Sequence, residues 1–122
     1  MRIVNISNPQ SATSIIIKAQ YCTSFIGKFK GLMLQRQLPS DKGLLLVEGD
    51  NSIINTSIHM FFMLFDIAAI WINSDNIVVD AKLAKKGYPF YFPQKPAKYI
   101  LECHPTCLNN FHIGDLIKIK DV

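Results

Sequence analysis

An almost uninterrupted apolar stretch from Ser57 to Asn73 limits the folds that this chain can adopt. The stretch is 17 residues long and contains four polar side chains, those of Ser57, His59, Asp66 and Asn73. Its apolar part is interrupted by Asp66 and is too short to span about 30 Å of hydrocarbon. Aromatic and β-branched side chains on both faces instead predict a central strand from Ser57 as far as Asp66, then a second strand over Ala68–Asn73.

The rest of the chain has the length and composition of one globular domain. It has 122 residues, of which 49% are hydrophobic. A chain of this size can bury roughly two-thirds of its unfolded surface. Because no repeat, low-complexity tract or linker divides residues 1–122, we predict a single domain.

Short segments with period-2 alternation, separated by turn residues, predict a mostly β fold. The other predicted strands are residues 1–6, 13–20, 43–48, 77–84, 97–103 and 115–120. Residues 85–96 contain three prolines and a glycine among four aromatic residues, so we expect a loop there. Residues 104–112 are expected to form an irregular or one-turn helical connection. The expected architecture is a compact barrel-like or sandwich-like sheet.

One segment has the period of a helix instead. Over residues 23–33 the apolar side chains fall on a single helical stripe, which predicts one short helix. The stripe consists of Phe25, Ile26, Phe29, Leu32 and Met33. Gly31 lies near the end, where the absence of a Cβ permits a turn or a close approach to the sheet. We predict that Gly31, Leu32 and Met33 have a structural role.

The charge and the cysteines point to an ordinary intracellular protein. The net charge is +4, and the lysines are scattered along the chain, which is typical of solvated surface. The three cysteines are an odd number, and the N-terminal residues contain no apolar leader segment. We therefore predict a cytoplasmic protein with reduced thiols, no membrane partner and no cofactor.

Six short motifs in a fixed order resemble a family of small bacterial and archaeal proteins, the domain of unknown function 192. They cover roughly residues 18–120 and are Gly31-Leu32-Met33, Gly43-Leu44-Leu45-Leu46, Ser57-Ile58-His59-Met60-Phe61-Phe62-Met63, the hairpin around Asp75, Ala97-Lys98-Tyr99-Ile100-Leu101-Glu102 and Ile113-Gly114-Asp115. The resemblance implies a compact β-rich, barrel-like fold and no established activity.

The chain departs from the family pattern at two places. The family usually has a Pro-x-Asp step after the counterpart of Met63; here the Pro position holds Asp66 and the Asp position holds Ala68. The carboxylate has either moved by two residues or been lost. The family also tends to have a Pro-Ala-Gly step after Leu-Glu, where this chain has the string Cys103–Cys107.

The string Cys103-His104-Pro105-Thr106-Cys107 is the most metal-like part of the sequence. With His112 it supplies four thiol and imidazole groups, the ligands that Zn²⁺ prefers in tetrahedral sites. Structural zinc sites, however, normally combine two ligand pairs, and no second pair is recognisable. Cys103 also falls on the inward face of its predicted strand, where a buried, inert thiol is common. We therefore predict no metal.

His59 and Asp66 are the polar groups most suited to a site within the apolar stretch. A histidine can titrate near neutral pH, although a histidine hydrogen-bonded inside a β core is the commoner case. Asp66 cannot be buried unpaired without cost, so we expect it to reach solvent or to pair with a lysine or Arg36.

Aromatic and basic residues are mixed in the loop at 85–96. The aromatic residues Tyr88, Phe90, Tyr91 and Phe92 are flanked by Lys85, Lys86 and Lys95. Such a mixture suits the stacking of single-stranded bases, but the rings could equally fold over the open end of a barrel. We regard nucleic acid as the less favoured partner.

These observations support a small binding or accessory domain whose ligand, a small molecule or a protein, contacts His59, Asp66 and the aromatic residues at 88–92. One alternative is a hydrolase-like or metal-dependent enzyme that uses His59 with Asp66 or the Cys103–Cys107 string. Against it, no glycine-rich nucleophile turn is present. A further alternative is a domain that binds single-stranded nucleic acid.

Overall fold

A computed structural model describes residues 2–13, 15–23 and 37–122. The described residues form one seven-stranded sheet. The strands are β1 (Ile3–Ser7), β2 (Ile16–Cys22), β3 (Lys42–Ser52), β4 (Ile67–Ile72), β5 (Val78–Ala84), β6 (Ala97–Cys103) and β7 (Lys118–Asp121), and a short 3-10 helix (Pro105–Asn110) follows β6.

The strand order in the sheet is β5-β4-β6-β3-β2-β1-β7. All neighbouring strands are antiparallel except β2 and β3, which run parallel and are connected through residues 23–41. The strand β6 lies between β3 and β4, so Leu101 is paired with Leu45 on one side and Ile70 on the other. The strand β6 is thus an interior strand with a paired neighbour on each side.

Both faces of the sheet are covered by apolar side chains, so the core has two layers. On the first face, Leu45, Ile70 and Leu101 belong to one cluster with Phe111, which directly follows the 3-10 helix. On the second face, the side chains of β3, β4 and β6 belong to another cluster with side chains from 58–63: Leu44, Leu46, Ala69, Trp71, Ile100, Ile58, Met60 and Met63. Side chains alternate between the faces along each strand, as strand geometry requires.

The mostly β architecture and the membership of residues 97–103 in a strand are confirmed. The sheet is not closed into a barrel, because β5 and β7 are its edges. An isolated bridge between Ile77 and Leu116 joins the residues that precede these two edge strands. The connection at 104–112 is confirmed as a short helical segment.

The predicted central strand from Ser57 to Asp66 is wrong. This segment is irregular, with one isolated bridge at Ile58 and a turn in which the Met63 N–H donates to the Met60 carbonyl. Ile58, Met60 and Met63 are buried because the segment lies across the second face of the sheet. An apolar segment that covers a sheet is as rich in large side chains as a strand within it, so composition did not separate the two.

The predicted helix over 23–33, with Gly31, Leu32 and Met33, lies almost entirely outside the described residues, and Arg36 lies outside them as well. Within the described ranges, no helix is long and apolar enough to cross a membrane.

Trp71 fixes the covering segment to the sheet. Its ring is fully buried, and its Nε1–H donates to the Thr56 carbonyl at 2.6 Å. We expect Trp71→Phe to lower the free energy of unfolding by about 1–3 kcal/mol, since the carbonyl of Thr56 loses its buried donor. Denaturant unfolding measures the effect. The control is Tyr99→Phe, which removes a hydroxyl with no hydrogen bond to the described residues and should change stability by less than about 0.5 kcal/mol. Equal losses in the two variants would contradict the assignment.

Candidate binding surface

Two irregular segments pair with each other over the second face of the sheet. The N–H of Ile58 donates to the Tyr91 carbonyl at 3.0 Å, and the N–H of Tyr91 donates to the Ile58 carbonyl at 2.8 Å. Further along, Met60 donates to the Tyr88 carbonyl at 3.0 Å and accepts from Gly87 at 2.7 Å. We call residues 58–62 and 87–92 the aromatic ribbon. The ribbon joins His59 to the predicted aromatic loop.

The two sides of the ribbon have different environments. Ile58 and Met60 are buried on the sheet side, and Tyr91 packs partly against the same cluster. Phe61 and Phe90 are 52% and 58% exposed. The inward side chains therefore hold the ribbon on the core, while the outward rings contribute little to it.

The outward rings form a continuous series. The ring centroids are 5.4 Å apart from His59 to Phe61, 6.3 Å from Phe61 to Phe90 and 6.1 Å from Phe90 to Phe92. We call these four residues the aromatic ladder. Phe62, Leu64 and Tyr88, on the same two segments or just beyond them, are also half or more exposed. Contiguous exposed apolar surface of this kind marks interaction sites in soluble domains.

His59 is the one polar ring of the ladder. Its Nδ1 is buried and has no hydrogen-bond partner among the described residues. It stands beside Phe61 at the end of the ladder, so the imidazole is held by packing.

Asp66 holds the start of the aromatic loop. One carboxylate oxygen accepts from the Lys86 N–H at 2.9 Å, and the other lies 3.8 Å from the Lys85 ammonium. Pairing with a lysine was one of the two expected outcomes and is confirmed. Asp66 therefore positions the loop through the Lys86 N–H at one oxygen and the Lys85 ammonium at the other.

Lys82, near the Phe92 end of the ladder, also has contacts within the chain. The Lys82 ammonium lies 3.4 Å from the Asp80 carboxylate and 5.7 Å from the centroid of the Trp71 ring, and it donates to the Phe92 carbonyl. Tyr91 accepts at its hydroxyl from the Lys85 N–H at 2.8 Å. Basic groups beside the ladder thus serve mainly to fix the ribbon.

The groups of the Cys103–Cys107 string do not converge on one point. Cys103 and Cys107 are fully buried, and the neighbouring Cys107 thiol, together with burial, raises the pKa of Cys103. The Cys107 thiol itself donates to the Ser40 carbonyl at 3.3 Å. His104 instead accepts from the Thr106 N–H at 3.2 Å and caps the 3-10 helix, while His112 lies 3.7 Å from the Asp115 carboxylate. Within 2–13, 15–23 and 37–122, no three His, Cys, Asp or Glu side chains are placed to hold a metal ion. These thiols are packed core groups.

Glu102 is a buried charged residue that the sequence analysis did not select. It is paired with Leu44 on β3 and with Ala69 on β4, and only 8% of its surface is exposed. Its carboxyl group makes no hydrogen bond or ion pair with the described residues. Burial raises the pKa of Glu102 to about 7. No sequence signal indicated its burial, because the same face of residues 97–103 carries Lys98, Ile100 and Glu102, a pattern typical of a partly solvated face.

The sequence and the fold together identify the family. A family model, DUF192, described as "Uncharacterized ACR", matches residues 6–119. The chain belongs to this family. The resemblance inferred from the six motifs is therefore confirmed, and no activity is assigned to the family by that description.

Relatives and solved structures agree with this assignment. A UPF0127 protein of Thermococcus kodakarensis is 40% identical over 102 residues, which are 82% of this chain and 63% of that protein. A UPF0127 protein of Pyrococcus furiosus is 36% identical over 95 residues, 78% of each chain. The chain thus spans less than two-thirds of the Thermococcus kodakarensis relative's length.

Two solved structures share the fold at low sequence identity. One, from Sinorhizobium meliloti 1021 and provisionally described as a transcription regulator, has a TM-score of 0.83 and 17% identity over 97% of this chain and 92% of that one. The other, a protein of unknown function from Novosphingobium aromaticivorans, has a TM-score of 0.81 and 14% identity over 95% of this chain and 83% of that one. At these identities the likeness concerns the fold alone.

The raised pKa of Glu102 predicts how stability depends on pH. The folded DUF192 domain holds this proton up to about pH 7, whereas an ordinary glutamate releases it near pH 4.5. The folded state therefore binds more protons in this interval, so stability falls as pH rises through it. Each pKa unit corresponds to about 1.4 kcal/mol, so the loss is at most roughly 3–4 kcal/mol.

Denaturant unfolding at about pH 5 and about pH 8 measures this effect, and Glu102→Gln serves as the reference. The difference between wild type and variant isolates the contribution of Glu102 from that of the other titratable groups. We expect the wild type to lose stability relative to the variant as pH rises. A constant difference across this range would show that the folded carboxyl group titrates normally.

Proposed function

We propose that this chain is a non-catalytic binding domain whose aromatic ladder contacts an apolar segment of a polypeptide partner. The observation that carries the proposal is the continuous series of rings that runs from the partly buried His59 through the exposed Phe61, Phe90 and Phe92. A partner that covers these rings would bury them, and burial of an aromatic side chain is a major source of binding free energy. Aromatic side chains are also enriched at protein interfaces.

The charges around the ladder favour an uncharged partner surface. Single-stranded nucleic acid needs a positive groove beside the stacking rings. Here Lys82 is paired with Asp80, and Lys85 lies within ion-pair distance of Asp66. Both lysines thus face a carboxylate of this chain, which weakens their attraction for phosphate. Apolar side chains of a peptide match the ladder better than a phosphate backbone does.

The ribbon also presents its rings in a rigid arrangement. Four backbone hydrogen bonds connect its two segments, and Ile58 and Met60 fix it to the core. A preorganised surface loses less conformational entropy when a partner binds, so more of the contact energy appears as affinity. The exposed Lys86 and Lys95 lie on the same loop and supply a polar rim.

The geometry gives less support to the enzyme alternative. Asp66 is engaged by Lys85 and Lys86, and the Nδ1 of His59 has no hydrogen-bond partner in the described part of the chain. A histidine that acts as a general base is normally oriented by a second group. The solved structure provisionally described as a transcription regulator does not favour nucleic acid here, since a likeness at 17% identity concerns the fold.

A library of linear peptides displayed on phage tests the proposal. We expect enrichment of peptides with two or more apolar side chains. Removal of two central rings in the variant Phe61→Ala/Phe90→Ala should weaken their binding by roughly 1,000-fold, since buried aromatic anchors often contribute about 2 kcal/mol or more each. Fluorescence anisotropy measures the affinity. The matched control is Ile113→Ala, which removes an apolar side chain with 58% exposure outside the ribbon and should leave binding unchanged.

Three outcomes would contradict the proposal. Enriched peptides could bind the double variant as tightly as the wild type, or the library could yield no peptide that needs Phe61 or Phe90. In the third outcome, sedimentation would show a dimer that Phe61→Asp dissociates, and the partner would then be a second copy of this chain.

A further inference from the structure

We propose that Glu102 is the anionic group of a second binding site, which takes an alkylammonium or alkylguanidinium cation on the second face of the sheet. The site is distinct from the aromatic ladder, because it is built from strands β3, β4 and β6. Its central observation is a buried carboxyl group without a partner among the residues that the structure describes.

The position of Glu102 is fixed by the register of three strands. Its neighbours across the sheet are Leu44 and Ala69, and Ile100 lies two residues earlier on the same face. All three neighbours are buried and apolar. Strand side chains two residues apart or directly opposite share a face, so the Glu102 side chain is flanked by hydrocarbon within the sheet.

A carboxyl group in these surroundings reduces the stability of the fold. Burial of an ionised carboxylate without a partner is unfavourable by several kcal/mol, and even the protonated form loses its hydrogen bonds with water. Buried polar groups in folded proteins nearly always have a partner, and the exceptions call for a reason. Local departures from good packing occur most often at functional sites.

The lysine in the same cross-strand row as Glu102 already has other partners. Lys82 is the next residue of the same cross-strand row, because it is paired with Ala69. Its ammonium group, however, contacts the Asp80 carboxylate, the Trp71 ring and the Phe92 carbonyl. Cys103 follows Glu102 but points to the opposite face, where it belongs to the other apolar cluster. The negative charge of Glu102 is thus available to a group from outside the described part of the chain.

The surroundings also determine the chemical class of that group. A metal ion needs several ligands, and no three His, Cys, Asp or Glu side chains of the described residues are placed to supply them. A single carboxylate among apolar side chains instead matches a ligand with one cationic end and an aliphatic stem. An arginine or lysine side chain of a polypeptide and a free alkylamine or alkylguanidine share this chemistry.

Titration with n-butylguanidinium and n-butylammonium, followed by NMR, tests the site in the intact chain at about pH 8, where Glu102 is ionised. We expect the amide signals of Leu44, Ala69 and Ile100 to shift with saturation. Glu102→Gln keeps the shape but removes the charge, and it should weaken binding at least about tenfold. Asp75→Asn removes an exposed carboxylate from a turn and should bind as the wild type does. Protonation of Glu102 at about pH 5.5 should have the same effect as Glu102→Gln.

The same titration distinguishes the two sources of the cation. A capped Gly-Arg-Gly peptide that binds more tightly than n-butylguanidinium would indicate a polypeptide partner, whereas exclusion of the peptide would indicate a small molecule. The variant Phe61→Ala/Phe90→Ala should retain cation binding, so failure of the ladder proposal and failure of this one are separate results.

Stability measurements provide an independent test. Without a structural partner for Glu102, both Glu102→Gln and Glu102→Met should raise the Tm at about pH 8, because each removes a buried charge. A lower Tm for both variants would show that the carboxyl group has a structural partner and would overturn the proposal. Absence of binding by both cations, or equal binding by wild type and Glu102→Gln, would overturn it as well.

Discussion

The enclosure of β6 on both faces is the constraint on which the described structure depends. Ile100 and Leu101 are consecutive residues, and both are buried, although they belong to different apolar clusters. A single open sheet leaves two faces to be shielded from water, and segments outside the sheet must cover them. The residues around the 3-10 helix cover part of the first face, and the ribbon covers part of the second. The ladder is thus the outer surface of a covering segment that the central strand requires.

Periodicity predicted the sheet well because alternation has a direct physical meaning. In β2, for example, Ile17 and Ala19 are buried while Lys18 and Gln20 are exposed, as expected for a strand with one face on the core. The same method failed over Ser57–Asp66, where large apolar residues occur without alternation. Such a run is compatible with a doubly buried strand and with an irregular cover over a sheet. Its own polar residues, His59 and Asp66, did not distinguish these two structures.

The candidate surface was predicted in part, since His59, Asp66 and the aromatic residues at 88–92 were selected from the sequence. The described structure brings His59 and the aromatic residues together on the ribbon and places Asp66 next to it, against Lys85 and Lys86. Phe61 was the ring that the selection lacked. It joins His59 to Phe90, and only the pairing of 58–60 with 87–91 makes that contact visible. Glu102 was missed for a related reason. Its burial follows from neighbours on β3 and β4 that are distant in sequence.

The two proposed sites have a common physical feature, which separates them from the remainder of the described chain. Most other buried polar side chains of the described residues have partners, as at Asn8, whose side chain donates to the Asn110 carbonyl and the Asp115 carboxylate at 2.7 Å each; Asn5 Oδ1 is an exception. The ladder exposes large rings that the core does not use, and Glu102 buries a charge that the sheet does not neutralise. Neither feature contributes to folding stability, so fold stability does not explain their presence. Binding of a partner would remove both unfavourable terms, the exposed apolar rings in one case and the unpaired carboxylate in the other.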